Sequence, residues 1–406
     1  MAPKGHIITR LFISLFGDNA PAPISLIHYQ IDDSWGYLCE TASLDAALGG
    51  AQLIRGATSL NQPLGLLARH CHLRASVDES LLSAARLLDD CLIVNTCSRG
   101  LVIAPSAAAP AIADAISRFV AVATLSSSAR CNVTDVYPTE LAFGYRAKER
   151  WFDEFARDAE SIGSEGLKLL GFDYGRESVR DRARLSKAFR ARKNFGELAR
   201  MAMFSSPVAN NSPIRNQYES SGAIAHCEEC YQRPASYALP ATRALCEPCH
   251  WRVSVGASMV QKTLKDDSRS FLRDSRRFAA IAILCDPFQL VFGENSSISS
   301  SISARNKLAS AIDAVADEIQ DSLPDPGFVV KLSPCEMLFI TRGDDCDRCS
   351  DLAEKILPKR LSEHGIGEFD GCRMGCSGAE YGAPIGMHVR EAISHALGDG
   401  CRRVHS

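Results

Sequence analysis

Two periodicities alternate along the chain, and their order occurs twice. The run Ile24–Ile31 (ISLIHYQI) reads as a strand and stops at Asp32 and Asp33. Residues 41–54 are small, apolar and helix-compatible. Short β runs at 92–94 and 101–104 flank a turn at 95–100, where Gly100 supplies the torsion a hairpin needs. Apolar residues then recur at helical spacing over 110–123. Toward the other end, a strand at 279–284 stops at Cys285-Asp286, and a helix is expected over 303–323. A hairpin strand at 336–340 turns at Arg342-Gly343-Asp344-Asp345, and a second helix covers 349–361. A last strand at 370–376 and a helix at 388–397 complete this half.

Strand, helix, hairpin, helix is the order of a ferredoxin-like or palm module. The chain is therefore expected to be α+β, with two such domains at 1–150 and 257–406. Between them, 151–197 is helical and charged, and 201–223 is a linker by its Ser, Pro, Asn and Gly content. The helical region and linker together span 151–225, and a cysteine-rich knuckle spans 226–256.

Composition narrows the class. A chain of 406 residues exceeds one core of ordinary size, so two or three domains are expected. The net charge of −3 gives no global pull toward nucleic acid or membrane, so phosphate contacts must come from local patches. No apolar run is long enough to span a bilayer, and the first 16 residues lack a signal-peptide pattern. A cytoplasmic location is expected, with no membrane partner. The 16 cysteines fit thiols and one metal better than a disulfide framework, because four of them cluster and others sit in apolar runs.

That cluster is Cys227-Glu-Glu-Cys230, fifteen residues, then Cys246-Glu-Pro-Cys249. Each C-x-x-C pair makes a tight knuckle with two thiolates on one side, and two knuckles complete a tetrahedron with no open position. Four sulfurs around one zinc ion make a structural site. His250 adjoins the last ligand but is not needed as one. Cys346-Asp-Arg-Cys349 with Cys372 and Cys376 could be read as a second site, but the first pair lies against the acidic turn and the second is spaced by three residues, so packed, reduced thiols are expected. No P-loop, G-x-S-x-G or H-E-x-x-H motif occurs.

Two acids after a strand, Asp344 and Asp345, are ordinary at a surface turn. Asp286 at the end of another strand changes their meaning. If the two strands are neighbours, Asp286 and Asp344 would project at one sheet edge and share two Mg²⁺ ions, as nucleotidyl transfer requires.

This order of modules resembles the large subunit of type III CRISPR effector complexes. The matching stretches are LDAALGGAQLIRGATS (44–59), the hairpin 91–105, the cysteine cluster, ILCDPFQLVFG (283–293 and the two residues before it), MLFITRGDD (337–345) and the tail 374–396. The resemblance implies a second palm that converts ATP into cyclic oligoadenylates when target RNA pairs with guide RNA. It carries Asp344 and Asp345 onto the two acids of the family's Gly-Gly-Asp-Asp turn, Gly343 onto its second glycine, and Asp286 onto the acid closing the first palm strand. Zn²⁺, Mg²⁺ or Mn²⁺, ATP, guide and target RNA, and repeat-type backbone subunits are the implied cofactors and partners.

Departures from the family pattern are plain. Arg342 stands at the first glycine, where it either assists or blocks a triphosphate. Phe288 stands where a second acid is often found, and the N-terminal nuclease domain's His-Asp pair is absent. The first module has Thr96-Cys97-Ser98-Arg99-Gly100 in place of an acidic turn. Two functions therefore remain: a synthetase using Asp286, Asp344 and Asp345, or an inactive scaffold for RNA and backbone subunits. The stretch 176–193 has eight basic residues against two acids, and reads either as a solvated helix or as a surface for RNA phosphates.

Overall fold

The computed structural model describes residues 24–59, 92–106, 109–136, 195–205, 207–209, 226–233, 235, 237–238, 243–263, 278–292, 296, 298–322, 327–343, 346–367, 369–378, 385–398 and 402–403. The first module opens with β1 (Ile24–Ile31), the short helix α1 (Ser34–Cys39) and α2 (Leu44–Ser59). The hairpin β2 (Leu92–Asn95) and β3 (Arg99–Pro105) follows, then α3 (Ala109–Thr124) and β4 (Ala129–Val136). Helix α4 (Phe195–Phe204) leads to β5 (Pro207–Ala209), and the strand order is β2-β3-β1-β4-β5. The region expected to be a linker thus begins with the end of a helix and a strand. Its Ser-Pro punctuation marks the break between α4 and β5, and β5 pairs with β4 through Cys131 and Asn132.

A small hairpin, β6 (Tyr237–Ala238) and β7 (Ala244–Leu245), carries the knuckle into helix α5 (Glu247–Thr263). The second module contains β8 (Phe278–Cys285), α6 (Phe288–Val291), α7 (Ile298–Ser322), β9 (Phe328–Ser333), β10 (Glu336–Arg342), α8 (Cys346–Glu363) and β11 (Cys372–Ser377). Helix α9 (Ile385–Leu397) and β12 (Arg402–Arg403) close it, and the order is β12-β11-β8-β10-β9. Both sheets are antiparallel throughout their described pairs. In each, the first strand lies between the third and fourth strands of its own module, as β-α-β-β-α-β connectivity requires.

Strand β8 shows why it reads as an unbroken apolar run. Ala280, Ala282 and Leu284 belong to a core shared with the first module, whereas Ile281, Ile283 and Cys285 belong to a second core under α7 and α8. A strand covered on both faces needs apolar residues at every position rather than at alternate ones. Helix α7 serves the second core with one stripe, Leu308, Ile312, Val315 and Ile319, at alternating steps of four and three. The shared core contains β1, β3, α2 and α3 together with β10 and α9, so the modules meet over apolar surface.

Two expectations about the second module change. Its hairpin joins β9 to β10 and turns at Pro334-Cys335, not at 342–345. The run FVVKLS followed by proline was the available signal for β9. Cys285 and Cys372, expected as thiols, form a disulfide between directly paired residues of β8 and β11. Cross-strand opposition puts their β-carbons within bonding reach, a relation that linear spacing does not reveal. Cys349 is buried and Cys376 is half-buried, in keeping with packed side chains.

Candidate zinc centre and inter-module pocket

The backbone turns of the knuckle bring its thiols together. The N–H of Tyr231 donates to the Cys227 carbonyl at 2.9 Å, and the N–H of His250 donates to the Cys246 carbonyl at 2.9 Å. The first bond closes one C-x-x-C turn, with Tyr231 left-handed at φ 57° just beyond it. The second is also the first turn of α5, so the helix itself presents Cys249. The four Sγ atoms of Cys227, Cys230, Cys246 and Cys249 all lie within 4.8 Å of one another and are buried. Four convergent sulfurs match the tetrahedral donor set of structural zinc, and the residues present fit that ion. The sequence assignment of these four ligands corresponds to a formed cluster.

The knuckle is joined to the first module by charged side chains as well as packing. Between its cysteines, Glu229 turns inward and accepts the N–H groups of Ala42 and Ser43 at 2.8 and 2.5 Å, at the start of α2. A carboxylate at a helix N-terminus satisfies donors that lack an intrahelical partner. Helices α2 and α5 then cross in backbone contact. A β-carbon on Gly49 would lie 1.8 Å from the Arg252 carbonyl oxygen, and one on Gly256 would lie 1.8 Å from that of Asp45. Arg252, 0% exposed, stacks 3.7 Å above the Tyr37 ring and bonds Glu40 at 3.2 Å. The indole N–H of Trp251 donates to the Ala123 carbonyl.

A cavity of about 240 Å³ lies where the two modules meet, lined by Gln30, Thr96, Arg99, Asp286, Glu336 and Arg373 among others. Asp286 leaves β8 with its N–H bonded to the Gly371 carbonyl at 3.0 Å, and its Oδ1 accepts the Phe288 N–H at 3.1 Å. Its Oδ2 is held at 2.8 Å by Arg99 of the first module, whose guanidinium also stacks 4.5 Å from the Phe288 ring. Glu336 begins β10 and is buried, with its Oε2 accepting the Cys97 N–H at 2.5 Å. Burial pushes its carboxyl up to about 7, and the charge of Asp286 adds to that rise. His28, edge-on to Phe288, is held down at about 4 by burial and then by Arg99.

Comparison of the modules explains why Arg99 matters. The N–H of Asp32 bonds the Ser128 carbonyl just as that of Asp286 bonds Gly371. Two residues further on, Arg130 pairs across the sheet with Gln30, and Arg373 pairs likewise with Leu284. In the first module Arg130 bonds Asp32 at 2.8 Å within its own sheet. In the second, the ion pair of Asp286 runs to Arg99 across the module boundary instead.

The expected meeting of Asp286 with the Arg342-Gly343-Asp344-Asp345 turn is not what the sheet register provides. Glu336 pairs with Leu284, and Arg342 pairs with Phe278. Asp286 therefore lies beyond one end of β8, while Gly343 lies beyond the other, separated by a strand roughly 25 Å long at about 3.4 Å per residue. Asp344 and Asp345 themselves lie outside the described residues, as does the basic stretch 176–193. The acid that shares a sheet end with Asp286 is Glu336. Sequence reading passed over Glu336, Arg99 and Arg373; only Asp286 was singled out among the pocket's charged groups. A polar residue opening an apolar strand directly after Ser-Pro-Cys was the signal for Glu336.

No protein-family model and no curated protein matches the chain. Solved structures do. The Csm1-Csm4 cassette in complex with AMPPNP is 12% identical, with 92% of this chain and 52% of that chain covered, at a TM-score of 0.44. The apo Csm1-Csm4 cassette is 11% identical, with 98% and 58% covered, at 0.43. Csm1 in T. onnurineus is 10% identical, with 98% and 54% covered, at 0.44. The chain spans a little over half the length of these structural neighbours, which are Csm1 proteins of type III-A CRISPR-Csm complexes.

Proposed function

We propose that this chain is a non-synthesising large subunit of an RNA-guided, type III CRISPR-like complex. In this reading two palm-like modules and a zinc knuckle form a rigid scaffold for guide RNA, target RNA and repeat-type backbone subunits in the cytoplasm. The division at 1–150, 151–225, 226–256 and 257–406 belongs to the same reading, as does RNA contact by the basic stretch 176–193. The single observation that carries it is the register of β8 against β10, which separates Asp286 from the acidic turn. The Arg99 ion pair supports it from a second direction, because a guanidinium already meets the charge a divalent cation would need.

Synthesis of cyclic oligoadenylates from ATP is the second reading. Asp286 and Glu336 both line the inter-module cavity, and two carboxylates there favour it. Mg²⁺ or Mn²⁺ would supply Lewis acidity to a phosphoryl group in that case. The chain's own residues oppose it: Arg99 competes for Asp286, and burial pushes the Glu336 carboxyl up to about 7, which disfavours its charged form.

The test is the assembled complex with labelled ATP, Mg²⁺ or Mn²⁺ and target RNA. Pyrophosphate release no greater than that of an Asp286→Ala complex is the expected result. A product that forms in the wild type and disappears in Asp286→Ala would replace the scaffold with the synthetase.

A further inference from the structure

The buried arginines of the knuckle present a charge that the protein side chains around them do not balance. Arg252 lies three residues after Cys249 on α5, one helical turn away and on the same face. Arg233 closes the other knuckle, where its carbonyl accepts the Cys227 N–H at 2.8 Å. Their guanidinium groups converge on one oxygen of Glu40, at 3.2 and 3.1 Å. Two positive charges thus share one carboxylate, with Arg252 fully buried and Arg233 and Glu40 largely so. Three of their nitrogens, Nε and Nη1 of Arg252 and Nη1 of Arg233, are buried with no hydrogen-bond acceptor among the described residues. Buried donors and charges without partners are costly. Four neutral thiols would leave that surplus in place, whereas zinc bound by four thiolates carries two negative charges.

We propose that Arg252 and Arg233 are positioning residues for the zinc centre, holding Cys227, Cys230, Cys246 and Cys249 as a tetrathiolate whose negative charge their guanidinium groups offset. The proposal rests on the zinc reading of the knuckle and adds the groups that set the ion's retention and the electron richness of its sulfurs. Neighbours of this kind tune a metal by roughly 10–100-fold in affinity.

The test measures zinc release from the full chain to a metallochromic chelator, alongside the sulfur-to-metal charge-transfer band of the Co²⁺-substituted protein. Arg252→Met and Arg233→Met are compared with Arg130→Met, whose guanidinium lies in the first sheet. Arg233 is 24% exposed and is the variant that keeps the test decisive should Arg252→Met not fold. The expected result is zinc release at least about tenfold faster in Arg233→Met, with the band moved to longer wavelength because its thiolates lose a neighbouring cation. A folded Arg233→Met with unchanged release and an unshifted band overturns the proposal, and so does an equal change in Arg130→Met. A wild-type chain that retains no zinc removes the zinc reading itself, a result separate from either.

Discussion

Glu336 is a carboxyl whose environment runs against its charge. It is 4% exposed and its pKa is pushed up to about 7, against an ordinary 4.5. The folded chain therefore holds a proton that the unfolded chain has released between these values. Stability associated with this group is fully present below pH 4.5 and is lost as pH rises through 7. Glu336→Gln keeps an acceptor for the Cys97 N–H and has nothing to ionise. Relative to the wild type, it is expected to gain stability from pH 5 to pH 8, by up to about 3 kcal/mol. Urea titrations at several pH values check this, and parallel curves for the two proteins would contradict it. The only sequence signal for Glu336 was its place at the head of an apolar strand, and a glutamate there is ordinary until a second module covers it. Asp286 was legible as an acid ending an apolar strand. Its partner Arg99, 187 residues away, was not.

At the scale of elements, the crossing of α2 and α5 offers the sharpest test of packing. Alanine normally favours a helix over glycine by about 1 kcal/mol. At Gly256 the added carbon would meet the Asp45 carbonyl oxygen at 1.8 Å, and backbone cannot swing aside as a side chain can. Gly256→Ala is thus expected to destabilise by roughly 2–4 kcal/mol despite its helix propensity. Chemical denaturation measures the sign directly, and a stabilised variant would show that the helices do not touch as described. The elements themselves were largely readable. Strand β1 was expected with the bounds it has, and α9 lacked only its first turn. Strand β9 was missed because Lys331 interrupts its apolar run and the more conspicuous Gly-Asp-Asp sequence drew the hairpin turn to the wrong side of β10.

For the whole molecule, the knuckle is where the four-cysteine cluster reaches the fold. Glu229 sits between two ligands and caps α2, so loss of zinc is expected to release the Ala42 and Ser43 donors as the knuckle loosens. Removal of zinc from the intact chain by a chelator should lower the midpoint of thermal unfolding by roughly 4–8 °C. Amide exchange in 44–59 should rise before exchange in β8 and β10. Equal protection in α2 with and without zinc would separate the knuckle from the module. Sequence alone carried the repeated strand-helix order and the four clustered cysteines, since periodicity and C-x-x-C spacing act over one or two turns of chain. The tertiary structure alone decided which acids share an edge. Antiparallel pairing sends the two ends of β10 to opposite ends of β8, so Asp286 shares an end with Glu336 while Arg342 is carried away, and the meeting of the two modules brings Arg99 to Asp286.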